Sequence, residues 1–170
     1  MEKLIDWNPW WETGSVPDSL MGINRPAYKT IFDALKIKEC ILITGVRRSG
    51  KSTLMYQMIS YLINQGVLPS QILMVNFEDE AFKKVSLDEI YEYYRIKINP
   101  DKKAYIFFDE IQKRENWGDW VRKKYDLLNL KFVISGSSAH LLKKEYAELL
   151  TGRNLTFEVM PFSFSEFILA

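Results

Sequence analysis

Apolar positions along the chain fall into short unbroken runs that alternate with longer stretches of three- and four-residue spacing. The runs are 40–44 (CILIT), 72–77 (ILMVNF), 104–108 (AYIFF), 132–135 (FVIS) and 155–160 (LTFEVM), bounded by charge, glycine or turn residues. Compact runs of this kind, rich in branched or aromatic residues, predict strands covered on both faces. Between them, helical spacing appears over 28–37, 52–65, 87–98, 117–128 and 138–150, and Gly66 stands where a helix C-terminal glycine belongs. The alternation predicts an α/β fold, a mostly parallel five-stranded sheet with helices on both faces, which makes a three-layer α/β/α sandwich. Residues 1–26 carry neither period and mix Trp7, Trp10 and Trp11 with Pro9, Pro17, Pro26, Gly14 and Gly22. They read as an irregular strap whose tryptophans pack on the α/β core of residues 27–160.

Composition narrows the class. The 170 residues, 47% of them hydrophobic, suit one ordinary domain with a single sizeable core. With 23 Lys and Arg against 22 Asp and Glu, the net charge of +1 gives no global pull toward nucleic acid or anionic membrane. The clusters Lys83/Lys84, Lys102/Lys103, Arg122/Lys123/Lys124 and Lys143/Lys144 read as solvated surface. Cys40 is the one cysteine, so an intramolecular disulfide is excluded, and its apolar neighbours place it in a buried strand. No apolar run approaches the roughly 18 to 20 residues of a membrane span, and the N-terminus lacks the basic start and apolar stretch of a signal peptide. A reducing cytoplasm, with no membrane association, is the expected location.

The first strand runs directly into Gly45, Val46, Arg47, Arg48, Ser49, Gly50, Lys51, Ser52 and Thr53, the pattern G-x-x-x-x-G-K-[ST] between a strand and a helix. Glycine permits backbone conformations in which successive N–H groups turn inward around phosphate oxygens, and the helix start adds its positive dipole end. Lys51 then reaches the β- and γ-phosphates of ATP, or the β-phosphate of ADP, and Ser52 ligates Mg²⁺. Arg47 and Arg48 leave three readings open: added positive potential for a triphosphate, contact with a partner or neighbouring domain, and plain surface exposure.

Hydrolysis needs more than a phosphate cradle. Asp109 ends the third apolar run and is the candidate metal-orienting carboxylate, while Glu110 is the candidate activator of the attacking water. Such a pair separates hydrolases from small-molecule kinases, whose phosphate acceptor occupies the position of that water. Ser135 ends the fourth run, and it or Ser137 can reach between cradle and carboxylates to hydrogen-bond the γ-phosphate or the water. His140 has no second ligand or nucleophile beside it and reads as structural or surface.

In order along the chain, NPWW, GINRPAY, ITGVRRSGKSTLMYQMI, ILMVNFED, IFFDEIQKRENWGDWVRKKYD, ISGSSAHLL and LTGRNLTFEVMPFSFSEF resemble the prokaryotic, archaeal-type AAA+ superfamily ATPases, more distantly the origin-binding and STAND ATPases. The resemblance implies the sheet order 5-1-4-3-2 and a sensor-like place for Ser135. It implies that Ile23 and Arg25, ahead of the first strand, touch adenine. It also implies that Arg153 serves as a finger on a neighbour's nucleotide, through a homo-oligomer, or as a local sensor. Members of the family continue well beyond this point, so residues 161–170 are expected to open a further C-terminal region that would bring DNA or protein partners. Three functional readings follow: Mg²⁺-dependent ATP binding and hydrolysis, a nucleotide-dependent switch or scaffold with little hydrolysis in this segment, and a DNA-associated ATPase.

Overall fold

The computed structural model describes residues 3–25, 28–137 and 152–163. Five strands, β1 (Cys40–Thr44), β2 (Ile72–Asn76), β3 (Ala104–Asp109), β4 (Leu130–Gly136) and β5 (Asn154–Glu158), pair in the order β2-β3-β4-β1-β5. Every pairing is parallel, in register Ile43 with Ser135 and Phe157, and Asn76 with Asp109. The order is the one the resemblance implies. It places β1 inside the sheet, where all five of its residues are buried.

Alternate residues of these strands enter two separate apolar layers. Leu42, Val75, Phe108, Phe132 and Ile134 pack with Ile90 and Tyr94 of α6 (Leu87–Lys97) and Trp117 and Val121 of α7 (Trp117–Leu127). Ile41, Ile43, Met74, Phe107 and Val133 pack on the other face with Leu54, Met55, Met58 and Ile59 of α5 (Lys51–Asn64). α6 starts sharply because Ser86 accepts from the Glu89 N–H while the Glu89 side chain accepts from the Ser86 N–H, satisfying two donors that a helix start otherwise leaves open. The predicted helix over 138–150, with His140, lies outside the described residues.

Three elements differ from the sequence reading. The strap is not irregular: it winds into three four-residue helices, α1 (Lys3–Asp6), α2 (Trp10–Thr13) and α3 (Asp18–Met21). Periods so short leave no pattern in sequence; tryptophans hold α2 to the body, as expected of them, and Gln57 of α5 holds the end of α3. Trp10 is fully buried, and the indole N–H groups of Trp10 and Trp11 both donate to the Ile72 carbonyl, at 3.2 and 2.8 Å. The helix expected over 28–37 is a short α4 (Lys29–Asp33) followed by a 3₁₀ turn at Ala34–Lys36. β4 begins at Leu130, two residues ahead of its apolar run, because buried Lys131 finds carbonyl partners at Ala34, Ile37 and Glu39. Cys40 is buried as expected, and burial pushes its thiol up to about 12. Among the described residues no helix is long and apolar enough to cross a membrane.

Candidate nucleotide-phosphate site

Beyond Thr44 the chain must leave the sheet without colliding with the segment after β5, whose Val159 N–H donates to the Thr44 carbonyl at 2.7 Å. Gly45 solves this with φ +149. A Cβ there would stand 2.3 Å from the Val159 carbonyl oxygen and 2.8 Å from Ser49 Oγ. Positive φ at Arg48 (64°) and Gly50 (97°) then folds the loop back so that α5 starts at Lys51. No acidic residue stands in the first turn of α5 and no side chain caps it, so its free N–H groups and positive dipole end face the loop. This is the geometry of an anion cradle.

Five chemistry-bearing side chains meet at the cradle. The Lys51 side chain, 4% exposed, donates to the carbonyls of Gly45 (3.3 Å) and Val46 (3.1 Å) and pairs with Glu110 Oε1 at 3.3 Å. Ser52 Oγ donates to Asp109 Oδ2 at 2.6 Å. Ser135 Oγ donates to Asp109 Oδ1 and accepts from the Glu110 N–H at 3.1 Å, so one hydroxyl ties both acidic residues together. Glu110 itself has φ 54°, a left-handed turn that costs a non-glycine residue about 1–2 kcal/mol and ends the strand direction immediately after Asp109. Its second carboxylate oxygen accepts from Gln112 Nε2. Asp109 is fully buried. Desolvation raises its carboxyl above the ordinary 3.8, opposed by the hydrogen bonds from Ser135 and Ser52.

The donor set fits a hard divalent cation. Among the described residues no three His, Cys, Asp or Glu side chains form a metal cage. Mg²⁺ in phosphate sites takes only one or two protein oxygens, with water and phosphate completing its shell. Ser52 and Asp109 could supply one oxygen each.

On the other side of the loop lies a pocket of about 280 Å³ walled by Gly22, Ile23, Arg25, Tyr28, Thr53 and Phe162. Gln57 fastens the strap there, donating to the carbonyls of Met21 (2.6 Å) and Ile23 (2.9 Å). Arg25 Nη1 donates to the Met160 carbonyl at 2.8 Å, and its guanidinium lies 4.7 Å from the Tyr28 ring and 5.1 Å from the Phe162 ring. Ile23 and Arg25 thus line a cavity beside the cradle.

Arg153 is not brought to the cradle of its own chain. Its carbonyl accepts from Cys40 N at 2.7 Å, at the start of β1, and its side chain pairs with Asp126 at 3.1 Å. The length of β1, about 16 Å at strand rise, separates it from Gly45. A local sensor role is therefore corrected, since an arginine side chain does not span that gap. Ser135 is fully enclosed and spends its hydroxyl on Asp109 and Glu110, whereas Ser137 lines the open pocket beside Lys51. Sequence reasoning missed Asn76, which donates to Asp109 Oδ2 at 3.2 Å, and Gln112 and Gln57. Asn76 carried a signal, a polar residue ending an apolar run, but its partner depends on strand register.

The all-parallel sheet with β4 inserted between β1 and β3, and the cradle joined to a strand-end Asp-Glu pair, define a P-loop domain of the AAA+ type. Residues 38–168 match the family model described as "AAA domain", and the chain belongs to that family. It is 39% identical over 127 residues to the uncharacterized protein MJ1544 of Methanocaldococcus jannaschii, covering 75% of this chain and 27% of that one. An uncharacterized protein of Haemophilus influenzae is 39% identical over 129 residues, covering 75% of this chain and 32% of its own. The chain thus spans a third or less of these relatives. Among solved structures, the Aeropyrum pernix ORC1 protein in complex with DNA shares the fold with a TM-score of 0.57 at 16% identity, over 92% of this chain and 50% of that one. C. elegans PCH-2 does so with a TM-score of 0.52 at 14% identity, over 94% of this chain and 48% of its own.

Proposed function

We propose that this chain binds ATP or ADP with Mg²⁺ and hydrolyses ATP. The observation that carries the reading is the convergence of Lys51, Ser52, Asp109 and Glu110 at one end of the sheet, from strand ends far apart in sequence. The backbone of Gly45 to Thr53 and Lys51 would hold the phosphates, Ile23 and Arg25 the base, and Ser52 and Asp109 the metal. Mg²⁺ held there would supply positive charge that offsets the negative charge of the phosphates. Glu110 would accept the proton of the attacking water, and Ser135 would position Asp109 and Glu110 for it. The family and the lone buried thiol Cys40 support a nucleotide-binding protein of a reducing cytoplasm.

A second reading rests on Arg153. Because it stands away from its own cradle, it would serve as a finger only on the nucleotide of another copy, and a missing finger costs on the order of 10³-fold in rate. A lone copy would then act as a nucleotide-dependent switch or scaffold that binds well and turns over slowly. DNA or protein partners, by analogy with the DNA-bound ORC1 relative in fold, would be engaged through regions beyond this segment. Phosphate release with Mg²⁺-ATP tests the first reading: Glu110→Gln is expected to lower the rate by about 10²- to 10³-fold with nucleotide binding retained. Equal rates for the two proteins would sink it. Absence of calorimetric binding to either nucleotide would sink both readings.

A further inference from the structure

The two adjacent arginines of the cradle loop face different spaces. Arg47 lines a pocket of about 250 Å³ at the Lys51 end, shared with Glu78, Glu110, Gln112 and Lys113. Arg48 lines the pocket on the opposite side, with Ile23, Arg25 and Tyr28. The left-handed turn at Arg48, φ 64°, falls where the two part. Since Lys51 and Glu110 mark the end where a terminal phosphate would lie, Arg47 stands at that end and Arg48 at the base and sugar end.

The partner of Arg47 is also informative. Its side chain is 85% exposed, and its ion pair with Glu78, itself 46% exposed, is long at 3.6 Å. Pairs so open to water are weak and screened by salt, so a phosphate that takes the guanidinium in a two-pronged grip displaces the carboxylate readily. Glu78 meanwhile sets a like charge beside any incoming anion. A diphosphate ending short of the pair would leave it closed, whereas a triphosphate reaching it would have to open it.

We propose that Arg47 and Glu78 read the terminal phosphate from within the chain, Arg47 selecting nucleoside triphosphate over diphosphate and Glu78 opposing it, while Arg48 serves both nucleotides alike. The inference rests on the nucleotide site proposed above and names how that site tells ATP from ADP.

Calorimetry of the 170-residue chain with Mg²⁺ and either ADP or the non-hydrolysable β,γ-imido analogue of ATP tests it. Arg47→Gln is expected to weaken the triphosphate analogue roughly tenfold, the scale of one charge-assisted contact, with ADP affinity within about twofold of the parent. The retained ADP affinity also reports that the variant folds. Glu78→Gln is expected to move the ratio the other way, tightening the analogue relative to ADP by about two- to fivefold at low salt, less at high salt. Arg48→Gln should shift both nucleotides together. Equal loss of both nucleotides in Arg47→Gln, an unchanged ratio, or a selective loss that appears in Arg48→Gln or Lys113→Gln instead would overturn the assignment. Failure of the unsubstituted chain to bind either nucleotide would remove the site reading itself, and this inference with it.

Discussion

Ser52, in the first turn of α5, and Asp109, at the end of β3, lie 57 positions apart in the chain and meet at 2.6 Å, the hydroxyl donating to a carboxylate that is fully buried. Burial holds the Asp109 carboxyl above its ordinary 3.8. The folded chain therefore keeps a proton that the unfolded chain has released, and stability contributed by this group is lost as pH rises through that window. Asp109→Asn removes the cost. At neutral pH without Mg²⁺ its thermal midpoint is expected to match the parent or exceed it by about 2–4 °C, while Mg²⁺-dependent turnover falls at least about 100-fold. Scanning calorimetry of both proteins from mildly acid to neutral pH checks the first part, and a lower midpoint for the variant at neutral pH contradicts it.

Gly45 and Gly50 both adopt positive φ, but only one is hemmed in. A methyl group at Gly45 meets the Val159 carbonyl at 2.3 Å, whereas at Gly50 it meets nothing within 4 Å. Gly45→Ala is expected to destabilise by at least about 2 kcal/mol and Gly50→Ala by about 1 kcal/mol, from backbone strain alone. Urea midpoints of the two variants rank them, and the reverse order would show that the contact after β5 does not constrain the loop.

Asn8 substitutes for a neighbouring strand at the β2 edge. Its side chain accepts from the Met74 N–H at 2.6 Å and donates to the Met74 carbonyl at 2.8 Å and the Leu4 carbonyl at 2.7 Å. Asn8→Ala leaves these buried groups without partners, an expected cost of about 2–4 kcal/mol. The urea midpoint should fall with the slope unchanged. A loss below about 0.5 kcal/mol would mean that the strap adds little to the edge.

Lys131 reaches out of β4 to the carbonyls of Ala34 and Ile37, both at 2.8 Å, and of Glu39, and burial pushes its ammonium down to about 8. The unfolded chain holds this proton up to the ordinary 10.5, so between pH 8 and 10.5 the unfolded state binds more protons and stability rises with pH. Lys131→Met should cost about 2–4 kcal/mol at neutral pH, through three carbonyls left unpaired. The gap from the parent should widen as pH climbs through that window. Chemical unfolding at neutral and alkaline pH measures it, and a narrowing gap would contradict the sign.

The candidate site was legible in the chain to the extent that it is local. Gly45, Gly50, Lys51 and Ser52 sit within a single turn from strand to helix, and Asp109 with Glu110 ends one apolar run, so residue type and spacing alone identify them. Asn76 was legible only as a polar residue near a strand end: its hydrogen bond to Asp109 exists because β2 and β3 pair in the register that sets the two residues side by side. Arg153 was half legible: its motif allows a place at its own phosphate or at a neighbour's, and its position just ahead of β5 puts the length of a strand between it and its own cradle.

By itself the sequence determined the number of strands, their succession along the chain and the cradle, because an apolar run or a glycine-lysine turn carries its physical cause within a few residues. Only the tertiary structure decided what depends on partners distant in the chain. A lysine 97 positions from Ala34 joins a buried strand because three carbonyls converge on it. Three short turns hold in the strap because tryptophans and Asn8 bond the β2 edge and Gln57 of α5 bonds the end of α3. Two neighbouring arginines line different pockets beside the cradle loop, whose backbone takes a left-handed turn at Arg48.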